Sequence, residues 1–183
     1  MRAFILGVIC SLWLGHAALA GGDTTFNQQG TFNPAAACAK ALGVNKLNVQ
    51  SETSPGGGGA SVYFDRDGNV IRGNRKLPMW KVDITCGCYW SRGRYYLFGL
   101  ISRVIPYCAC FTVLWRANYI DENGDGKIGP GDAVVWEGVA SADTMSMASG
   151  DDTGAAANLA MGDALTKFIQ SQGSNGPGHV NFP

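Results

Sequence analysis

Two Cys-x-Cys pairs, Cys86/Cys88 and Cys108/Cys110, restrict what this chain can fold into more than any other feature. If their surroundings pair as antiparallel strands, 86 opposite 110 and 88 opposite 108 share one register, because both pairs of numbers sum to 196. Two cross-strand disulfides then form from a single strand pairing. Other connectivities stay open, including one that joins Cys38 to one of the four, because spacing alone does not fix which thiols meet. A tetrathiolate zinc site is a further alternative. Its usual spacing is Cys-x₂₋₄-Cys rather than Cys-x-Cys, and its thiolates must escape oxidation. An exported chain meets an oxidising environment, which favours the disulfides.

Export is written at the start of the chain. Arg2 supplies a short positive region, residues 3–14 an apolar core, and Ala18-Leu19-Ala20 a small-residue cleavage site, so residues 1–20 read as a secretory signal. Its apolar core is too short to span a bilayer. Cleavage leaves 163 of the 183 residues and five of the six cysteines. The odd cysteine implies one free or intermolecular thiol, which leaves a covalent dimer open. Thirteen basic residues then face fourteen acidic ones, a net charge near −1. There is no basic field for nucleic acid. The expected organisation is one α+β domain at 21–173, built of antiparallel hairpins and short helices, followed by a flexible tail at 174–183.

Along the chain, Asn33 and Pro34 open a short helix that Gly43 closes. Ser54-Pro55 and the glycines 56–59 read as a loop or linker. Runs at 61–65 and 70–72 flank Arg66-Asp67-Gly68-Asn69, and the Asp-Gly turn predicts a hairpin. From Trp80, the residues Val82, Ile84, Cys86, Cys88 and Trp90 alternate with polar ones, the period of a half-buried strand. Residues 107–115 form a second β-rich run. Between them, Leu97, Phe98, Ile101, Val104 and Ile105 follow the spacing of an amphipathic helix, with Pro106 as its stop. Residues 95–115 are apolar enough to raise a membrane span, which Arg103 and Pro106 make costly. Residues 133–139 read as a short helix and 141–154 as a loop. Asp152 or Thr153 caps a last helix whose expected core face is Leu159, Met161, Leu165, Phe168 and Ile169, with Gly173 as the stop.

The stretch Asp-Glu-Asn-Gly-Asp-Gly-Lys-Ile-Gly-Pro-Gly-Asp, residues 121–132, carries oxygen donors at its first, third, fifth and twelfth positions and glycine at the sixth. A hard cation takes six to eight oxygens, and a glycine lets a tight loop turn round them. This dozen residues resembles the calcium-binding loop of the EF-hand family, in particular its dockerin-type branch, which ends in Asp. The resemblance implies Ca²⁺ held by side chains of Asp121, Asn123, Asp125 and Asp132 and by the carbonyl of Lys127, with water at Gly129 and Ile128 turned inward. Gly129-Pro130-Gly131 departs from the pattern, and only one such loop is present. With three carboxylates, the affinity expected outside the cell is weak, on the order of 10⁻⁴ M. The alternative for these residues is an exposed Asx-rich turn.

Catalytic patterns are thin. After cleavage the one histidine is His179, in a Gly/Asn/Pro-rich tail where a base is poorly held. The glycines 56–59 lack the Lys-Ser/Thr of a phosphate loop. Tyr95 and Tyr96 beside Arg92 and Arg94 are the candidate contact surface. The expectation is a secreted, periplasmic or cell-envelope protein that is structural or interactive rather than catalytic, stabilised by calcium and disulfides, with a protein partner. Two alternatives are a membrane-active protein inserting residues 92–107 at a lipid surface and a thiol–disulfide exchange enzyme.

Overall fold

The computed structural model describes residues 31–183 except 55, 74–75, 97–100, 131 and 140–143; for 91–96 and 101–104 it describes the backbone alone. The expected secretory signal, residues 1–20, lies outside the described residues. The elements in order are α1 (Pro34–Ala41), β1 (Gln50–Ser54), β2 (Gly57–Phe64), β3 (Trp80–Tyr96), β4 (Ile101–Ile120), β5 (Ala133–Gly138), β6 (Met145–Ser149) and α2 (Thr153–Gln172). The strands form one antiparallel sheet in the order β1-β2-β3-β4-β5, and β6 pairs with β4 beyond the end of β5. Both helices lie on one face of this sheet, α2 against β3, β4 and β6, and α1 against α2 and β2. The result is an α+β domain dominated by its sheet.

Alternation in β3 and β4 decides which face is covered. Val82, Ile84 and Cys86 of β3 and Cys108, Cys110, Thr112 and Leu114 of β4 point to the helices and are buried. Helix α2 meets them with Ala156, Ala157, Ala160 and Ala164, whose small side chains let the helix approach the sheet closely, and with Met161, Leu165 and Phe168. Leu159, expected in this core face, is exposed instead. Its place is taken by the alanines, which hydrophobic spacing underweights.

Both helix ends follow their capping residues. Asn33 Oδ1 accepts from the Ala36 N–H (3.0 Å) and Asp152 Oδ1 from the Ala155 N–H (2.8 Å), each satisfying an amide that the first turn leaves without a helical partner. Gly173, at φ 85°, closes α2. The Asp67-Gly68 turn forms as well, with Gly68 at φ 79° and Asp65 Oδ1 accepting from the amides of Asp67 and Asn69. Its return run is reduced to a bridge between Val70 and Phe64.

Several expectations are corrected. Residues 101–105, expected in a helix, belong to β4, whose β-branched residues suit a strand; 97–100 lie outside the described residues. Pro106 sits inside this strand at no cost to the ladder. It shares the parity of Cys108 and Cys110, whose Cα atoms lie only 4.1 and 4.0 Å from their partners, the narrow pair type in which N–H groups point away from the facing strand. On that outer side β6 has already ended at Tyr107. Residues 133–138 form β5, and 145–149, expected as loop, form β6.

The glycines 57–59 are part of β2, not a linker. A Cβ on Gly57 would lie 2.6 Å from the Cys86 carbonyl oxygen, and one on Gly58 would lie 3.1 Å from the Phe32 ring. The expected flexible tail also packs into the domain. Val180 is fully buried, Phe182 stacks on Trp80 (4.9 Å) and meets Phe64 edge-on (5.1 Å), and Asn69 bridges His179.

Candidate functional site

The β3–β4 ladder runs beyond every neighbour it has. β2 leaves β3 at Gly87 and β6 leaves β4 at Tyr107. From there Tyr89–Tyr96 and Ile101–Pro106 pair, among the described residues, with no strand but each other, and only at the root does the Pro106 carbonyl still accept from the Gly150 N–H (3.3 Å). Eight residues at about 3.3 Å each carry this two-stranded arm roughly 26 Å past the sheet. An isolated ribbon of this kind is marginal in water.

The sequence places its staples where that weakness begins. Cys86–Cys110 and Cys88–Cys108 are both formed, in the register expected from the constant sum. Tyr89 and Tyr107 stack one pair further out, with ring centroids 5.8 Å apart. The root is also held from the helix side, where the Cys108 and Cys110 sulfurs lie 3.3 and 3.7 Å from the carbonyl oxygens of Thr153 and Ala157. Among the described residues Cys38 is the remaining thiol, a residue of α1 on its buried face. Burial pushes it up to about 12, so it offers no thiolate for exchange at neutral pH.

The predicted contact residues Arg92, Arg94, Tyr95 and Tyr96 all fall on this arm by register. Arg92 pairs with Val104, Arg94 with Arg103, Tyr95 with Ser102 and Tyr96 with Ile101. The register shifts between Arg92 and Arg94, a bulge that makes Gly93 the extra residue and sharpens the local twist. Residues 101–105 are strand, so no helical apolar face exists there.

The loop between β4 and β5 lies at the opposite end of β4. Its first half wraps on itself through side-chain oxygens. Asp121 accepts from the amides of Gly124 and Gly126 (2.7 Å each), Asn123 from Asp125 (2.9 Å), and Asp125 from Lys127 (2.7 Å), while Gly124 and Gly126 take positive φ of 72° and 73°. Asp132 does not join them. Its Oδ2 accepts from Gly129 (2.7 Å), and its Oδ1 is buried with no hydrogen-bond partner. Among the described residues no three Asp, Glu, His or Cys side chains gather closely enough to hold a metal ion. Ile128, expected to turn inward, is 56% exposed.

No family model, no curated protein and no solved structure matches this chain. Its chemistry therefore has to be found in its own geometry. Three polar groupings escaped sequence reasoning. On the sheet face away from the helices, Lys81 Nζ lies 5.2 Å from the Trp115 ring and 5.1 Å from Trp136, pairs with Asp83 (2.9 Å), and has Tyr63 against Trp136. The period-two alternation of β3 does place Lys81 and Asp83 on that face. Its aromatic partners come from other strands, so no local signal marks them. At the edge, Asp163 bonds both Ser146 and Lys167 and so ties β6 to α2. Asp65 bonds Lys76 (2.5 Å) beside an open cleft of about 280 Å³ lined by Asn48, Tyr63, Ile71 and Pro78.

Burial pulls the Asp65 carboxyl upward, but bonds from Lys76 and from the Asn69 and Asp67 amides outweigh it and hold it below the usual carboxylate range. Asp163 is held low by Ser146 and then Lys167. The carboxylates Asp65 and Asp163 are each bonded by neighbours within the fold. Among the described residues no helix is long and apolar enough to cross a membrane.

Proposed function

We propose that this is an exported, non-catalytic interaction protein of the periplasm, cell envelope or extracellular space, which presents the stapled β3–β4 arm to a protein partner. The observation that supports this reading is the pair of disulfides set at the last point where the ladder still has neighbours. Crosslinks there rigidify a ribbon that would otherwise fray, and a preordered ribbon loses less freedom on binding. Formed disulfides also fit an oxidising compartment. Arg and Tyr are among the residues enriched at protein interfaces, and Arg92, Arg94, Tyr95 and Tyr96 concentrate on the arm.

The reading includes a calcium ion in the 121–132 loop, held by Asp121, Asn123, Asp125 and the Lys127 carbonyl. Asp132 completes the shell by exchanging its bond to Gly129 for the ion, which would give its unpartnered Oδ1 a ligand. The ion serves as a local staple of the β4–β5 connection.

A photocrosslinking residue placed at Tyr95 in the source cells tests the arm, with the same residue at exposed Leu159 as control. The expected result is a protein adduct from position 95 and none from 159; no adduct from 95 refutes the arm as the contact surface. For calcium, Asp121→Ala and Asp125→Ala are expected to lower the melting temperature more in millimolar calcium than in chelator, where only their bonds to the Gly124, Gly126 and Lys127 amides are lost. Equal melting of variant and parent in calcium removes the ion. Sedimentation with anionic vesicles separates a membrane partner from a protein one.

A further inference from the structure

Three short strands, β1, β5 and β6, border the sheet. A free strand edge is a template for a further strand, and folded proteins guard it with charge, proline or a bulge. β1 carries Glu52 and β5 carries Glu137, whereas β6 reads Met-Ser-Met-Ala-Ser, with neither charge nor proline. The ladder with β4 fixes which backbone groups of β6 are open. The Thr112 N–H donates to the Thr144 carbonyl (2.9 Å) and the Gly150 N–H to the Pro106 carbonyl (3.3 Å), so the even-numbered residues form the hydrogen-bonded pairs. Ser146 and Ala148 spend their amides and carbonyls on β4, and Met145, Met147 and Ser149 turn theirs to the outer edge. There the Lys167 ammonium reaches the Met145 carbonyl (3.5 Å), and among the described residues no strand pairs with this edge.

Side chains at this edge are sorted by face. Met145 and Met147 stand directly opposite Phe111 and Ala109, on the side of the sheet away from the helices. Met145 is 62%, Met147 52% and Phe111 45% exposed, an uncharged apolar row of cross-strand neighbours. On the helix side Asp163 bonds Ser146, and Lys167 lies 3.0 Å from Asp163 and 3.2 Å from Ser146 Oγ, so the charges at the edge cancel. A partner that fits this edge must bring a strand, an apolar row on one face and a balanced charge pair on the other. β6 and α2 of another copy bring all three.

We infer that β6 of one copy pairs antiparallel with β6 of a second copy across a two-fold axis at Met147, joining the two sheets into one. Met147 then exchanges both N–H···O bonds with the second copy's Met147, and Met145 does the same with the second copy's Ser149. The axis stands perpendicular to the sheet, so the methionine rows of the two copies lie on the same side and run together. On the other side the Asp163–Lys167 pairs come side by side, and each ammonium gains a second carboxylate to face. Both β6 edges are consumed in the contact, so assembly closes at two. Strand β4 runs in opposite directions in the two copies, which sends their arms out at opposite ends. The contact holds or fails independently of what the arm binds.

The test is sedimentation velocity of the mature protein over a concentration series, where the parent is expected to pass from monomer to dimer and no further. Met147→Pro is the diagnostic variant. The Met147 amide faces outward, so proline removes no bond to β4 while it deletes the central pair. The dimer should weaken at least about tenfold, because the facing carbonyl loses its donor, while circular dichroism keeps the parent's shape. Met147→Lys sets two ammoniums opposite each other on the axis and should shift the equilibrium in the same direction. Ile128→Lys, as exposed but at the far end of β4, should leave it unchanged.

A parent that stays monomeric across the series overturns the pairing, and a position-95 adduct then still leaves the arm reading standing. A dimer that neither Met147 variant weakens, or growth beyond two copies, overturns it equally. If Met147→Pro misfolds, Met147→Lys and mild oxidation of Met147→Cys decide. A covalent dimer from Met147→Cys and none from Ile128→Cys supports the axis, and no covalent dimer from Met147→Cys refutes it.

Discussion

The two disulfides are nested, and nesting makes their contributions interdependent in a way that can be calculated. Cys86–Cys110 spans a separation of 24 residues and Cys88–Cys108 one of 20. Taken alone, each loop closure stabilises by about 3.4 kcal/mol in the chain-entropy picture. With one bridge in place, the other closes only the small ring through Gly87 and Ala109, about six residues round, and adds roughly 2 kcal/mol. Cys86→Ala/Cys110→Ala and Cys88→Ala/Cys108→Ala should therefore each cost about 2 kcal/mol by closure, and the quadruple variant about 5.5. Lost sulfur packing adds to each variant but cancels in the cycle, leaving a coupling of about 1–1.5 kcal/mol. Urea unfolding of the parent, the two pair variants and the quadruple variant measures it directly. Costs that simply add, or single-pair losses near the full 3.4 kcal/mol loop closure, refute nested loop entropy as the source of stabilisation.

Three further outcomes follow from other contacts. Gly57→Ala should destabilise by more than 2 kcal/mol, roughly the cost of forcing backbone apart in a packed site, because its Cβ meets the Cys86 oxygen; Gly87→Ala, with nothing within 4 Å, should leave the melting temperature nearly unchanged. Phe182→Ala should cost about 3 kcal/mol and raise amide exchange at Val70 and Val180, whose N–H groups bond Gly178 and Gly68. Asp65 has a folded pKa below its ordinary value of 3.8, so its contribution is present above that value and is lost as pH falls through the lower folded one. A pH titration of stability should show Asp65→Asn flattening the acid limb below about pH 4. An unchanged limb contradicts the Lys76 and amide bonds as its cause.

The cysteine register was legible because two short-range facts, period-two alternation and a constant number sum, agree on one strand pairing. Capping was legible for the same reason, since Asn33, Asp152 and Gly173 act on amides and carbonyls a few residues away. What escaped was decided at long range. Gly57–Gly59 carry no strand propensity, yet they are strand because a neighbouring carbonyl and Phe32 occupy the space where side chains would stand. The apolar spacing at 97–105 suits a helix as well as a strand, and the ladder with β3 settles 101–105. Phe182 lies in a stretch of Gly, Asn and Pro, and only Trp80, about a hundred residues earlier, shows why it is held. Arg92, Arg94, Tyr95 and Tyr96 fall on the arm by register, which strand alternation alone does not reveal. In the loop, the Asx bonds through Lys127 follow from its Asp, Asn and Gly residues, whereas Ile128 and Asp132 depend on what surrounds them.

Cys38 carries a consequence for how the chain matures. While helix α1 is still undocked, a fifth thiol is free to attack either young bridge and trap the strands out of step. Once α1 seats, the thiol it carries is buried on its inner face and is withdrawn from exchange with the bridges. Docking of one helix thus protects crosslinks whose first cysteine lies 48 residues further along the chain from attack by the fifth thiol.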